Sequence, residues 1–167
     1  MKKWFSKKSN IFFVLLFSFA LFQQLPVLKN NFSKQDELII TRELKVLNQK
    51  ENATTKFPPK NSRAIAIFWA SWCGPCKIEM SRLKRSVESG SIPKGAIFAI
   101  NPFETSLESK KFADENNYPF TFIEASSLAD ELGVKVTPTT LFIDKGLITE
   151  MSSGMSIWGI WKAEFYL

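Results

Sequence analysis

The chain contains two cysteines, which lie three residues apart in the motif WCGPC at positions 72–76. The motif follows the apolar run 64–70 and precedes a segment with helical spacing of apolar residues. This arrangement places Cys73 at a helix start, where unpaired backbone N–H groups and the helix dipole favour the thiolate. We therefore predict a redox-active disulfide in which Cys73 attacks a partner disulfide and Cys76 resolves the mixed disulfide.

The residues around the two cysteines suit contact with another chain. Pro75 fits the first turn of a helix, where a missing N–H costs nothing, and Gly74 lets a second backbone approach. We expect Trp72 to shield the dithiol and to form part of a groove for a partner. Trp72, Gly74 and Pro75 are therefore candidate substrate-binding residues.

Other uses of a cysteine pair fit the composition less well. A zinc site needs about four ligands, and the chain has no further cysteine and no histidine. The missing histidine also argues against cysteine–histidine hydrolysis. A purely structural disulfide would gain little from closing so short a loop. We expect no metal and no cofactor.

The positive charge is concentrated at the N-terminus. The net charge is +6, and four lysines lie among the first eight residues, while the first acidic residue is Asp36. Without those lysines the balance is close to neutral. The basic excess therefore indicates targeting, and we expect no nucleic-acid partner.

An apolar segment follows the lysines and divides the N-terminal part of the chain. Residues 1–10 form a basic cytoplasmic region, and residues 11–28 form either an uncleaved signal-anchor, which we favour, or a signal peptide cleaved near Ala20. Lysines on the cytoplasmic side place the rest of the chain across the membrane. We expect a single pass through a bacterial cytoplasmic membrane with the redox domain on the periplasmic or outer side; cleavage would instead give a soluble periplasmic or secreted protein.

Residues 29–60 are polar and loosely patterned, and we assign them as a linker with a possible helix. Ser33 could cap a helix over residues 34–48, which carries the apolar residues Ile40, Leu44 and Leu47 at helical spacing. This helix would be either a stalk or the first helix of the domain.

The domain is expected over residues 61–167, where strand and helix patterns alternate. In order, the pattern predicts a strand over 64–70, a helix over 75–87, a strand over 96–100, a helix opened by a capping box at Thr105 and Glu108, a strand over 120–124, a short helix capped by Ser127 and ended by Gly133, a hairpin of strands 139–143 and 148–152, and a helix over 156–165. Strands that alternate with helices and end in a hairpin predict an α/β fold, with a mixed central sheet and helices on both faces.

The cysteine motif, the predicted C-terminal hairpin and the segment 136–140 (VTPTT) together resemble the thioredoxin fold. The resemblance is in particular to the TlpA/ResA/CcmG-type thiol–disulfide oxidoreductases. An acidic residue three positions after Cys76, a central strand–helix unit over 96–132 and an export segment point to this group. The resemblance covers roughly residues 64–152. Residues 30–60 do not resemble the N-terminal hairpin usual in that family.

The resemblance implies roles for three further residues. Pro138 would be a cis proline packed against the disulfide, and Thr137 and Pro138 would present backbone groups to an extended substrate peptide. Thioredoxin has a buried aspartate in the strand before the motif, and the matching position here is Ile67. Glu79 is therefore the candidate catalytic carboxyl that relays a proton to or from the buried thiol.

These observations predict a thiol–disulfide oxidoreductase that reduces protein disulfides outside the cytoplasmic membrane. The Gly-Pro dipeptide matches that of thioredoxin, whose potential is about −270 mV. The family suggests cytochrome c maturation or general disulfide reduction as the pathway, with disulfide-bearing proteins as substrates and a membrane electron donor that re-reduces the dithiol. The alternatives are a disulfide oxidase or isomerase of the same fold and a non-catalytic thioredoxin-like interaction module.

Overall fold

A computed structural model describes residues 2–50, 52–156 and 159–167, with side chains from residue 11 onward except that of residue 160. The elements in chain order are α1 (Lys2–Ser33), β1 (Arg42–Lys45), β2 (Thr54–Phe57), β3 (Arg63–Phe68), α2 (Gly74–Glu88), β4 (Ile97–Ile100), α3 (Ser106–Asn116), β5 (Thr121–Ile123), α4 (Ser126–Leu132), β6 (Thr139–Asp144), β7 (Leu147–Ser153) and α5 (Gly159–Tyr166).

Five strands form the central sheet in the order β5-β4-β3-β6-β7. Strands β3, β4 and β5 run parallel, while β6 and β7 run antiparallel to their neighbours. The hairpin between β6 and β7 turns at Lys145 and Gly146, which both have positive φ, of 52° and 92°. Such a turn matches the twist of the flanking strands. The predicted mixed sheet is confirmed.

The side chains of β3 and of Trp69, which follows it directly, alternate between two apolar clusters, one on each face of the sheet. Ile65, Ile67 and Trp69 pack with residues of α2, α3 and α5, whereas Ala64 and Ala66 pack with residues of α4 and the β1–β2 segment. All five side chains are fully buried. Both faces of the central strand are therefore covered, which explains why the run 64–70 is apolar at every position.

The helix predicted over residues 34–48 is wrong. The segment forms β1, which pairs with β2 in an antiparallel hairpin, and bridges join Leu38 to Leu147 and Val46 to Ile123. The segment thereby supplies hydrogen-bond partners to both edges of the central sheet, β7 and β5. Unpaired strand edges bind extended backbone strongly, and this pairing outweighs a weak helical spacing. An N-terminal hairpin is therefore present where sequence resemblance found none.

Two smaller predictions of helix ends were also inaccurate. Ser127 lies inside α4, and Ala125 occupies the N-cap position. Gly133 ends that helix in the left-handed conformation, as predicted. The last helix begins at Gly159, whereas the prediction began at 156; residues 157 and 158 lie outside the described part of the chain.

The N-terminal helix α1 is apolar over most of its length. Residues 11–33 are long and apolar enough, by length and composition, to cross a membrane. Their large side chains are exposed, with values from 49% to 73% for those from Ile11 to Phe32. An N-terminal hydrophobic segment therefore precedes the α/β domain.

Candidate active site

Cys73 and Cys76 form a disulfide at the N-terminus of α2. Cys73 is the N-cap residue, with extended backbone at φ −80° and ψ 101°, and its sulfur accepts a hydrogen bond from the Cys76 N–H at 3.2 Å. Pro75 lies in the first turn, where the helix needs no N–H from it. The side chain of Cys73 is 5% exposed and that of Cys76 is 0% exposed. A partner can therefore reach the first sulfur more readily than the second.

Glu79 is buried one turn further along α2, with 3% of its side chain exposed. Its Oε2 accepts a hydrogen bond from the Ser156 N–H at 3.3 Å, and its Oε1 lies 3.5 Å from the Thr140 hydroxyl. Burial raises the pKa of Glu79, against the opposing effects of the Ser156 N–H, the positive charge of Arg82 and the Thr140 hydroxyl. A carboxyl with a raised pKa keeps its proton to higher pH than an exposed carboxyl does, which suits it to proton transfer.

Glu79 also lines a cavity of about 210 Å³ between α2, β7 and α5. The polar residues that share this cavity include Thr140, Glu150 and Lys162. Glu150 and Lys162 are half-exposed and form an ion pair. The buried carboxyl is therefore connected to a polar space that opens near the surface.

The peptide bond between Thr137 and Pro138 is cis. Thr139 pairs with Phe68, so this bond lies at the end of β3 from which the cysteine loop emerges. The Pro138 carbonyl accepts a hydrogen bond from the Gly154 N–H at 2.7 Å. The fold thus brings Thr137 and Pro138 to the same end of the sheet as the disulfide, where the resemblance placed them.

Trp72 lies beside the disulfide with 68% of its side chain exposed, and Gly74 and Pro75 are also exposed. The ring centroid of Trp72 is 6.1 Å from the ring centroid of Phe103, whose side chain is 47% exposed. Exposed aromatic rings next to a reactive group provide apolar contact area for a partner. The sequence prediction included Trp72 in this surface and missed Phe103.

The loop that carries Phe103 is fixed to the cysteine loop by Glu104, a residue that the sequence prediction also missed. Its carboxylate accepts hydrogen bonds from the Ser71 N–H at 2.6 Å, from the Ser71 hydroxyl and from the Asn101 amide at 2.5 Å. Partial burial by itself would raise the pKa of Glu104. The hydrogen bonds to its carboxylate together outweigh the effect of burial, so the pKa of Glu104 lies below its ordinary value. The sequence did contain a signal for this loop. Asn101 directly follows the buried strand β4, and the carboxyl ends of adjacent parallel strands meet at one edge of the sheet.

Several solved structures share this fold. StoA from Bacillus subtilis superimposes with a TM-score of 0.60 and 20% sequence identity, over 74% of this chain and 95% of that chain. The exposed lipoprotein thioredoxin Etrx1 from Streptococcus pneumoniae gives a TM-score of 0.61 with 20% identity, over 77% of this chain and 100% of that one. The predicted thioredoxin-like fold is confirmed.

Curated relatives carry related names. The chain is 32% identical to the thioredoxin-like protein YneN of Bacillus subtilis over 103 residues, which is 57% of this chain and 58% of YneN. It is 30% identical to the thiol–disulfide oxidoreductase ResA of Geobacillus thermodenitrificans over 113 residues, 65% of each chain. The matched regions thus span about three fifths of the length of these relatives, and the resemblance to ResA-type proteins is confirmed.

The model of the AhpC/TSA family matches residues 36–151. This range begins just after α1 and ends within β7, and so contains the disulfide, Glu79 and the cis Thr137–Pro138 bond. Because it covers more than half of the chain, this protein belongs to the AhpC/TSA family.

Proposed function

We propose that this protein is a thiol–disulfide oxidoreductase that reduces protein disulfides through Cys73 and Cys76. The observation that carries the proposal is the disulfide at the start of α2, in which Cys73 is 5% exposed and Cys76 is fully buried. The relatives named as thiol–disulfide oxidoreductases support the same chemistry.

The reaction begins with the reduced dithiol. The Cys73 thiolate attacks one sulfur of a substrate disulfide, and the other substrate sulfur leaves as a thiolate. Cys76 then attacks the Cys73 sulfur, which closes the disulfide and releases the second substrate thiol. Two electrons have passed to the substrate, so a donor dithiol must reduce the protein again before the next cycle.

In this scheme Glu79 accepts the proton of the buried Cys76 thiol as it becomes the attacking thiolate. Thr137 and Pro138 bind the substrate backbone, and Trp72, Gly74 and Pro75 line the approach to Cys73. No step requires a metal or a bound cofactor. The partners are disulfide-bearing proteins and a membrane electron donor, and cytochrome c maturation is one process in which such a reductant serves.

We assign the reaction to the outer side of a bacterial cytoplasmic membrane. Residues 1–10 carry the cytoplasmic lysines, residues 11–28 serve as the anchor, residues 29–60 lead from the anchor into the sheet of the redox domain, and residues 61–167 carry the site. The apolar, exposed helix α1 supports this assignment. Protease added to spheroplasts should degrade the redox domain of the membrane-bound chain, and protection of that domain would overturn the orientation.

A disulfide-reduction assay tests the proposed chemistry. The full-length chain, reduced and supplied with a dithiol donor, should accelerate the reduction of insulin disulfides, and Cys73→Ser should abolish the acceleration. Equal rates for the wild type and Cys73→Ser would leave a non-catalytic thioredoxin-like module as the better description.

A further inference from the structure

Helix α1 joins the domain at the end of the sheet that carries the disulfide. The chain after α1 runs antiparallel along β7, with the Asp36 N–H bonded to the Ile148 carbonyl at 2.8 Å and the Ile39 N–H bonded to the Gly146 carbonyl at 2.9 Å. Residues before Asp36 must therefore lie near the opposite end of β7, at Ser153. Ser153 pairs with Thr139, next to the cis Pro138.

Two asparagines in the last turn of α1 attach the helix to this end of the domain. The Asn30 amide donates to the Leu132 carbonyl at 3.1 Å and to the Gly133 carbonyl at 3.2 Å, which are orphan acceptors at the end of α4. The Ser153 hydroxyl donates to Asn31 Oδ1 at 3.0 Å and lies 3.0 Å from the Thr139 hydroxyl. The helix is thus docked through polar contacts that reach the strand following Pro138.

The docked helix places one loop of the domain close to the end of the apolar segment. Pro26 and Val27 of α1 line a cavity of about 310 Å³ together with Lys135 and Val136. The apolar segment ends at residue 28, two residues before Asn30, which is a rise of about 3 Å along a helix. If residues 11–28 span a bilayer, residues 135–136 therefore lie at the bilayer surface.

The side chains on this surface suit contact with lipid headgroups. Lys135 is exposed, Val136 is 39% exposed, and Lys29 of α1 is exposed beside them. Basic residues next to a spanning helix are attracted to anionic headgroups, and a small exposed apolar side chain can enter the interface between headgroups and acyl chains.

We propose that the outer headgroup layer of the bilayer that holds α1 contacts Lys135 and Val136, so that the disulfide faces the membrane surface. The contact fixes the height and the orientation of the active site, in contrast to a domain on a flexible tether. It favours disulfides held close to the bilayer as reaction partners. This inference rests on the proposed membrane anchor, and it does not depend on the proposed redox chemistry.

Spin labels on the full-length chain in vesicles of anionic and zwitterionic phospholipids test the contact. Single cysteines replace Ala20 in α1, Val136 at the proposed contact, or Lys94, in a background with Cys73→Ser and Cys76→Ser. Lys94 is an exposed control, because it precedes β4 at the opposite end of the sheet. Collision of each label with a water-soluble nickel chelate and with lipid-soluble oxygen reports its depth.

The label at 136 should lose collisions with the nickel chelate and gain collisions with oxygen relative to the label at 94, and the label at 20 should lie deep in the bilayer. Replacing Asn30 and Asn31 by alanine should restore nickel access at 136 and leave the label at 20 unchanged. If the serine background does not fold, the same labels can be attached to the oxidised chain, whose native cysteines are held in the disulfide.

Two results would overturn the inference, and they have different meanings. Equal nickel access at 136 and 94, with the label at 20 deep, would show an anchored domain that does not touch the bilayer. A label at 20 that is open to the nickel chelate would refute the membrane anchor itself, and the headgroup contact would fall with it. Neither result bears on whether the dithiol reduces disulfides, which the insulin assay measures separately.

Discussion

The carboxylate of Glu79 lies against the hydroxyl of Thr140, with Oε1 3.5 Å from Oγ1, and Thr140 is the direct cross-strand partner of Ile67. Ile67 is the position that corresponds, by resemblance, to the buried aspartate of thioredoxin. Strand β3 has only an apolar side chain at that position. Helix α2 instead supplies the carboxyl of Glu79, which lies against the neighbouring strand β6. This relationship supports Glu79 as the proton carrier of the site.

Replacing Glu79 with glutamine should slow the resolution of the mixed disulfide by about 10²-fold, the lower end of the range for a lost general acid–base group. Attack by Cys73 on a substrate disulfide should change little, because that step uses the Cys73 sulfur at the helix start and not the proton of Cys76. Rapid-quench separation of the mixed disulfide from the final products measures both steps. Glu88→Gln, an exposed position on the same helix, is the matched control, and equal behaviour of the two variants would show that Glu79 carries no proton.

The same residue should affect the pH dependence of stability in a predictable direction. Burial raises the pKa of Glu79 above its ordinary value of 4.5, so its contribution is fully present at low pH and is lost as the pH rises through the raised value. The free energy of unfolding of the wild type, relative to Glu79→Gln, should therefore fall as the pH rises above the ordinary value of 4.5. Urea unfolding of the oxidised chain in detergent at several pH values measures this difference.

Glu104 should show the opposite slope. Partial burial opposes its ionisation, but hydrogen bonds from Ser71 and Asn101 lower its pKa below 4.5, so its contribution is present above that value and lost as the pH falls. The free energy of unfolding of the wild type, relative to Glu104→Gln, should therefore fall as the pH drops below the ordinary value of 4.5 and should be restored above it. Slopes of the same sign for Glu79→Gln and Glu104→Gln would contradict the assigned environments.

The order of attack follows from the unequal burial of the two sulfurs. Cys76→Ser should accumulate mixed disulfides with substrate proteins, because Cys73 can still attack and nothing resolves the product. Cys73→Ser should accumulate none, since the Cys76 side chain is 0% exposed. Non-reducing electrophoresis of membranes from cells that express each variant gives the result, with the double serine variant as the blank. Equal trapping by both single variants would refute the order.

The direction of electron flow follows from the dipeptide between the cysteines. Gly74 and Pro75 match thioredoxin, and the chain has no histidine to stabilise the Cys73 thiolate further. We expect a reduction potential close to that of thioredoxin, which is about −270 mV, and far from that of the strongly oxidising bacterial disulfide oxidase, which is about −120 mV. Equilibration with glutathione buffers, followed by tryptophan fluorescence, measures it. A value more oxidising than about −180 mV would make a disulfide oxidase or isomerase the better description.

The sequence by itself determined the elements that have strong local signals. The apolar run before Cys73 predicted β3, the capping box of Thr105 and Glu108 predicted the start of α3, and both are present. The hairpin turn at Lys145 and Gly146 was predicted in the same way. These features depend on hydrogen bonds and dihedral preferences within a few residues, so a single sequence contains the information that decides them.

Tertiary structure decided what depends on distant partners. Residues 37–46 become extended because their backbone forms hydrogen bonds with two edges of the central sheet, β7 and β5, and no local sequence pattern shows those edges. Glu104 reaches Ser71, and Asn30 reaches Leu132, across 33 and 102 positions of the chain. Such contacts form only after the sheet has brought the segments together. The sequence therefore determined which residues are candidates for the chemistry, because the cysteine motif is local, and the fold decided which residues hold them in place.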